Sequence, residues 1–166
     1  MRILDDRQIR QKIKRIAIEI LERHYDESEL ILAGLNNNGW GFACLLQAEL
    51  LPIKPAGMQI TMTRIHLNPA NPVEFDPYIE LAPEAVDGKP VIIIDDVANT
   101  GRTVFYAVQP LLKIVPTCVE VAVLVDRKHK SFPVKADYVG LSLATTLKDH
   151  IKVQINDATE MAVFLE

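Results

Sequence analysis

The chain has 166 residues, of which 49% are hydrophobic and 24% charged, and its formal net charge at pH 7 is −4. These values predict a single globular domain over residues 1–166 and argue against a general nucleic-acid-binding protein. No apolar run approaches the ~20 residues that cross a bilayer, and acidic residues near the start break any signal-peptide core, so we expect a cytoplasmic protein. Cys44 and Cys118 have apolar neighbours and no metal-ligand spacing, which is typical of buried, reduced thiols.

Helical and strand-like segments alternate along the chain. Helical spacing of apolar residues and continuous apolar runs predict these elements in order: a helix over 6–24 capped by Asp5 or Asp6, a strand Leu30–Leu35, a helix Trp40–Leu50, a strand Gln59–Thr63, a strand Val91–Ile94, a helix Val104–Ile114, and strands Val119–Val125, Ala136–Val139, Val153–Ile155 and Ala162–Leu165. The proline-rich stretch from His66 to Lys89 has no period and predicts a functional loop. Such alternation predicts a mostly parallel sheet covered on both faces.

The most informative segment is Asp95–Thr103, which reads DDVANTGRT. It follows the apolar run Val91–Ile94 and precedes a predicted helix, so two carboxylates should lie where open α/β sheets bind ligands. The loop behind them is rich in small and hydroxyl residues, whose N–H and O–H groups suit a phosphate. A ribose 5-phosphate is the simplest ligand that needs both features.

This segment resembles the ribose-phosphate signature of type I phosphoribosyltransferases. The chain is most similar to the family of bifunctional pyrimidine operon regulators/uracil phosphoribosyltransferases, on the segments Arg15–Ile20, Ile60–Arg64, Ala122–His129 and Phe132–Gly140. The resemblance implies a doubly wound, mostly parallel α/β fold with a small hood region. It also implies transfer of ribose 5-phosphate from phosphoribosyl pyrophosphate to a nucleobase, such as uracil, with Mg²⁺ and a nucleoside monophosphate as product.

The resemblance also implies roles for particular residues. Asp95 and Asp96 would hold the ribose hydroxyls, directly or through the waters of the metal ion, and Arg64 would face the leaving group. A tentative base pocket would include Val125 and Asp126. The 5-phosphate would be bound by Val97, Ala98, Asn99, Thr100, Gly101, Arg102 and Thr103.

The chain departs from the family at the loop that grips pyrophosphate. This loop reads Asn36, Asn37, Asn38 and Gly39, where the family usually carries a Lys or Arg before its glycine. Asparagine donates hydrogen bonds but does not neutralise charge, so we expect weakened pyrophosphate binding unless backbone amides suffice. The alternative is that the four residues are a tight turn that tolerates positive φ. Arg64, likewise, is either the cation for the leaving group or a solvated arginine at a strand end.

The resemblance further implies an RNA hairpin as partner and a homo-oligomer built from dimers. Two interpretations of the basic residues remain open: they form an RNA-binding face, or they are ordinary solvated side chains. These residues are Arg7, Arg10, Lys14, Arg127, Lys128, His129 and Lys130. Two functions therefore compete. The first is an active phosphoribosyltransferase, and the second is a catalytically weak nucleotide sensor that binds RNA and regulates pyrimidine genes.

Overall fold

A computed structural model of the chain describes residues 1–144, 148–156 and 159–166. The elements within these ranges are, in chain order: β1 (Arg2–Leu4), α1 (Asp6–His24), β2 (Glu29–Leu35), α2 (Asn36–Leu50), β3 (Gln59–His66), β4 (Tyr78–Ile79), α3 (Pro83–Val86), β5 (Pro90–Ala98), α4 (Arg102–Ala107), a 3₁₀ turn (Gln109–Leu111), β6 (Cys118–Arg127), β7 (Tyr138–Leu143), β8 (Ile151–Gln154) and β9 (Ala162–Leu165).

Six strands form the main sheet, in the order β4-β3-β2-β5-β6-β7. Every neighbouring pair is parallel except β3 with β4, which is antiparallel at the edge. The central strand β5 carries the run Val91–Ile94, and all four of its side chains are fully buried. Burial on both faces is what a continuous apolar strand requires, because alternate side chains point to opposite sides.

Each face of this sheet has its own core. On one face, the stripe of α1 that includes Ile9, Ile16 and Ile20 packs with α2 and with strand residues such as Ile92. On the other face, Ile93 packs with residues of α3, α4 and the 3₁₀ turn. The predicted doubly wound, mostly parallel α/β architecture is therefore confirmed.

The hood is a separate three-stranded antiparallel sheet in the order β1-β9-β8. Its apolar residues, among them Leu4, Ile151 and Val163, join the core formed by α1 and α2. Strand β1 was not expected from the sequence, because three residues before a helix give no periodic signal. Of the two predicted caps of α1, Asp5 and Asp6, the structure shows Asp5: its side chain accepts from Gln8 N, and the Gln8 side chain accepts from Asp5 N.

Several boundaries differ from those expected. Helix α2 begins at Asn36 and not at Trp40, so the asparagine loop is the first turn of a helix. Helix α4 ends at Ala107 and a 3₁₀ turn follows, because Pro110 has no N–H to continue α-helical bonding. Strand β7 runs over Tyr138–Leu143, later than expected. No helix within the described ranges is long and apolar enough to cross a bilayer.

Candidate functional site

The site lies where the strand order of the main sheet reverses. From β2 the chain passes through α2 to β3 on one side, whereas from β5 it passes to β6 on the other. The parallel pairing of β2 with β5 has its last partners at Gly34 and Ile94, but β5 continues to Ala98 against β6. The residues after Ile94 therefore extend beyond the end of β2 into an open crevice. This is the topological switch point at which doubly wound sheets bind their ligands.

Asp95 and Asp96 project from this extension of β5. Asp95 Oδ1 accepts from Asp96 N at 2.9 Å, and Asp96 Oδ1 accepts from Val97 N at 2.8 Å, which fixes both carboxyl groups against the backbone. Burial and the neighbouring Asp96 carboxylate raise the pKa of Asp95 well above its usual range, and burial also raises the pKa of Asp96. Among the described residues no lysine or arginine forms an ion pair with either, so the pair suits a cation supplied with the substrate.

A cleft of about 830 Å³ opens in front of the two carboxylates. It brings together residues of two motifs that are far apart in the sequence, the asparagine loop and the segment Asp95–Thr103. Its lining is Leu35, Asn36, Asn37, Asn38, His66, Leu67, Asn68, Pro69, Glu74, Phe75, Asp95, Asp96, Asn99, Thr103 and His150. The predicted pyrophosphate loop therefore faces the predicted ribose site across one cavity.

The sequence assigned no binding or catalytic role to any residue on the far wall of this cleft. Most of that wall comes from residues 66–75 of the proline-rich stretch, which was predicted to be a functional loop but without particular residues. His66 Nε2 donates to Glu80 Oε1 at 2.7 Å, and the His66 ring stacks on Tyr78 with ring centroids 4.8 Å apart. His150, next to β8, comes from the hood. Only chain folding brings these side chains to the site, since none belongs to a recognisable motif.

A second, smaller hollow of about 40 Å³ lies behind the carboxylates. It is lined by Asp95 and by all residues from Val97 to Val104. The predicted 5-phosphate loop therefore forms most of the wall of this hollow. Gly101 adopts φ 86°, a left-handed conformation that favours glycine. The Arg102 side chain turns away and donates from Nη2 to Pro69 O at 2.7 Å. Because the Arg102 guanidinium is bound to Pro69, the backbone N–H groups and hydroxyls of the loop are the candidate donors to a phosphate in this hollow.

The asparagine loop is shaped by close backbone contact with β5. A Cβ atom on Gly39 would lie 2.3 Å from Ile94 O, so only glycine fits there. Asn36 is the single described non-glycine residue with positive φ, at 50°, although the four residues form the first turn of a helix and not a tight turn. Its Oδ1 accepts from Leu67 N at 3.1 Å. Because no side chain caps α2, the unpaired N–H groups of its first turn remain available to an anion in the cleft.

Arg64 lies behind this loop and outside the residues that line the cleft. Its Nη1 donates to Asn37 Oδ1 at 3.0 Å, and its guanidinium carbon lies 4.8 Å from the ring centroid of Trp40. Its Nε is buried and has no hydrogen-bond partner within the described parts of the chain. The nearest predicted cation therefore contacts the loop and not the cleft, and a direct catalytic role remains a prediction.

The tentative base pocket also remains a prediction. Val125 is fully buried in the core, so its side chain does not line the cleft. Asp126 Oδ1 accepts from Lys130 Nζ at 2.5 Å, and Lys130 lies beside Gly101. Ser131 N and Phe132 N both donate to Thr100 O. The segment after β6 is therefore attached to the phosphate loop, and any base contact here would come from backbone atoms.

The predicted basic face is divided between two places. Arg10 is paired with Asp6 at 2.7 Å on the exposed side of α1, where Arg7 and Lys14 are also exposed. Arg127 donates to Asn99 Oδ1 and to Asp149 O. Lys128 and His129 are exposed next to it. The structure thus leaves part of this basic set accessible to solvent.

The comparisons with known proteins agree with this geometry. The family model for the phosphoribosyl transferase domain matches residues 1–157. The chain is 35% identical to the bifunctional protein PyrR of Bacillus pumilus, over 95% of this chain and 92% of the relative. It is 36% identical to the PyrR of Streptomyces coelicolor, over 92% of this chain and 82% of the relative.

Solved structures show the same fold at lower identity. A hypoxanthine-guanine phosphoribosyltransferase from Bacillus anthracis superposes with a TM-score of 0.69 at 18% identity, covering 86% of this chain and 81% of that one. A hypoxanthine phosphoribosyltransferase from Staphylococcus aureus gives a TM-score of 0.70 at 18% identity, covering 88% and 79%. At these identities the likeness concerns the fold alone.

Proposed function

Because the chain belongs to the phosphoribosyltransferase family, with PyrR proteins among its relatives, we propose that its cleft transfers ribose 5-phosphate from phosphoribosyl pyrophosphate to uracil. The observation that carries this proposal is that Asp95 lines two hollows at once. One is the cleft, which Asp95 and Asp96 share with the first turn of α2, and the other is the hollow formed by Val97–Val104. A ribose with a phosphate at each end matches carboxylates that lie next to two candidate phosphate sites.

The carboxylates also fit the metal ion that the family uses. Two adjacent acids, buried and without a cationic partner among the described residues, offer the oxygen ligands that Mg²⁺ prefers. Asp95 and Asp96 are the residues that would hold it, directly, through water or through the ribose hydroxyls. When bound, the ion neutralises charge on the pyrophosphate leaving group.

The residues of the chain then bind and orient the substrate. The loop Ala98–Thr103 holds the 5-phosphate and so fixes one end of the ribose. Asp95 and Asp96 orient the ribose hydroxyls, while the N–H groups of the α2 first turn bind the pyrophosphate. The C1–oxygen bond to pyrophosphate breaks, and a base nitrogen forms the new bond to C1 after losing its proton. Catalysis on this account is positioning and charge stabilisation.

The direct test is formation of uridine monophosphate from uracil, phosphoribosyl pyrophosphate and Mg²⁺. Hypoxanthine and guanine serve as competing bases, and Asp96→Asn serves as the matched variant with the carboxylate removed. We expect product with uracil, and at least a hundredfold less with the variant. Product with a purine alone would overturn the choice of base. No product with any base would overturn the enzyme proposal.

A second function is favoured by the neutral loop. None of Asn36, Asn37 and Asn38 carries charge, and Arg64, the cation predicted for the leaving group, is bound to Asn37. A chain that keeps the ribose 5-phosphate site but binds pyrophosphate poorly would serve as a nucleotide sensor that binds RNA. This proposal predicts that uridine monophosphate binds in calorimetry although turnover is slow. It also predicts that an RNA hairpin binds with affinity that falls as salt rises.

We also propose that the chain acts as a homo-oligomer built from dimers, as the family resemblance implies. Sedimentation at micromolar concentration tests this directly. A species at twice the chain mass of 18.6 kDa or more is expected. A monomer alone would contradict it.

A further inference from the structure

A cluster of three potential metal ligands lies at the amino end of the sheet, away from the cleft. His24 is the last residue of α1, and Cys118 is the first residue of β6. Glu120 follows two residues later, so it lies on the same face of the strand as Cys118. The cleft opens instead at the carboxyl ends of the strands. The cluster is therefore separate from the site described above.

The three ligand atoms already lie close together. One atom each of the His24 imidazole, the Cys118 thiol and the Glu120 carboxylate all fall within 4.8 Å of one another. The side chains of His24 and Glu120 are only 7% and 14% exposed. Their Nε2 and Oε1 atoms are in direct hydrogen-bond contact. Within the described residues this is the one such group of three.

The surroundings of the cluster favour a cation. Burial raises the pKa of the Cys118 thiol, and the nearby carboxylates of Glu120, Glu27 and Asp137 raise it further. Arg23 is the basic residue that faces the cluster. It donates to Glu120 Oε2 at 3.1 Å and lies 3.9 Å from Asp137 Oδ1. Glu120 Oε1 instead accepts from His24 and from Tyr138 OH.

We propose that His24, Cys118 and Glu120 bind one Zn²⁺ ion, with water as the fourth ligand. Imidazole, thiolate and carboxylate are the ligands that zinc takes in proteins, at about 2.0–2.3 Å. Tetrahedral ligands at that distance lie roughly 3.3–3.8 Å apart, so small side-chain rotations suffice to admit the ion. The His24–Glu120 hydrogen bond is replaced by two metal bonds. The thiol releases its proton to solvent, and the Nε2 proton of His24 also leaves, so that the neutral imidazole carries its one remaining N–H proton on Nδ1.

Bound zinc would join the end of α1 to the first residues of strand β6. Tyr138 OH, which lies 3.0 Å from Glu120 Oε1, and Arg23 on Oε2 would then support the carboxylate from outside. The ion takes no part in ribosyl transfer, because the site lies at the other end of the strands. Its effect is on the stability of the folded chain.

Cobalt provides the test, because thiolate-bound Co²⁺ gives a near-ultraviolet charge-transfer band and tetrahedral Co²⁺ gives visible bands. The intact chain is titrated with Co²⁺ in excess Mg²⁺, which occupies the Asp95–Asp96 carboxylates. We expect one Co²⁺ per chain with both sets of bands, and displacement by Zn²⁺. Absence of the charge-transfer band would overturn the proposal and leave the cluster as a hydrogen-bonded network.

Matched variants identify the ligands. Cys118→Ser should abolish the charge-transfer band, whereas Cys44→Ser, which removes the other thiol, should leave it unchanged. His24→Gln should weaken Zn²⁺ binding by about tenfold or more, the scale of one lost ligand contact. A band that survives Cys118→Ser would show that the ion lies elsewhere.

Melting temperatures provide a second test, which guards against a variant that loses metal binding only because it folds poorly. Zn²⁺ should raise the melting temperature of the wild-type chain but not that of Cys118→Ser. Uridine monophosphate binding by Cys118→Ser should match wild type, which shows that the variant is folded and that the cluster is independent of the cleft. An equal shift of the melting temperature by Zn²⁺ in both chains would contradict the assignment.

Discussion

Arg64 donates a hydrogen bond to Asn37 across the base of the pyrophosphate loop, with Nη1 and Oδ1 3.0 Å apart. The guanidinium also lies over Trp40, in the first half of α2. The cation that the sequence suggested for the leaving group therefore holds the loop that faces the leaving group. Because Arg64 does not line the cleft, we expect it to affect pyrophosphate binding through the loop and not by contact with the leaving group.

The first prediction concerns this contact. Arg64→Met and Asn37→Ala should each raise the KM for phosphoribosyl pyrophosphate about threefold to tenfold, since each removes one hydrogen bond that orders the loop. The double variant should be no worse than either single one, because both remove the same interaction. Steady-state kinetics measure all three. A much larger loss of kcat in Arg64→Met alone would show that Arg64 contacts the leaving group itself.

The second prediction restores a cation to the loop. Asn38 lines the cleft and hydrogen-bonds to Asp96, so Asn38→Arg places a guanidinium beside the pyrophosphate position. Affinity for phosphoribosyl pyrophosphate should rise about tenfold, the scale of one charge-assisted contact. Affinity for uridine monophosphate should stay within a few-fold, since that ligand lacks pyrophosphate.

Calorimetry with both ligands tests this variant against Gln59→Arg, which adds the same charge at an exposed position at the start of β3. The control should change neither affinity. If Asn38→Arg also changes neither, backbone N–H groups of α2 already suffice, and the sensor proposal loses its main support.

The third prediction concerns the phosphate hollow. Gly101→Val should abolish measurable binding of uridine monophosphate, because the branched side chain disfavours the φ of 86° and a Cβ would lie 3.3 Å from Val134. Gly88→Val is the matched control. Gly88 has a similar φ of 72° with open space around its Cβ position, and it precedes the amino end of β5. Both variants should lose about 1–2 kcal/mol of stability, but only Gly101→Val should lose the nucleotide. Equal nucleotide binding by the two would refute the assignment of the hollow.

The fourth prediction follows from the raised pKa of Asp95. An acid whose pKa is higher in the folded than in the unfolded chain destabilises the fold as pH rises from its ordinary value through the raised one. Asp95→Asn removes that charge and keeps an oxygen that can accept from Asp96 N. The variant should therefore be more stable than wild type above neutral pH, by about 1–3 kcal/mol, the usual cost of an unpaired buried polar group.

Urea unfolding of both chains from pH 4 to pH 8, without metal, measures this difference. The difference should shrink toward acid pH, where the carboxyl group is protonated in both states. Added Mg²⁺ should stabilise wild type and leave Asp95→Asn nearly unchanged. A variant that is less stable than wild type throughout this range would contradict the prediction.

Much of the fold and part of the site could be read from the sequence because their signals are local. The run Val91–Ile94 has the continuous hydrophobicity of a strand buried on both faces, and the motif Asp95–Thr103 combines carboxylates, small residues and hydroxyls within nine positions. The spacing of apolar residues in α1 predicted the bounds of this helix, and the acids at its start limited the cap to Asp5 or Asp6. In each case the physical cause lies within a few residues along the chain.

The rest depended on contacts between distant segments, which leave no local pattern. Only the folded chain decided that α2 starts at Asn36, because the close approach of Gly39 to Ile94 sets that first turn. Only the fold placed Arg64 on Asn37, about thirty positions away in sequence, and outside the cleft. Likewise, His24 and Cys118 meet because α1 ends where β6 begins, so ligands that show no spacing in the sequence become neighbours in space.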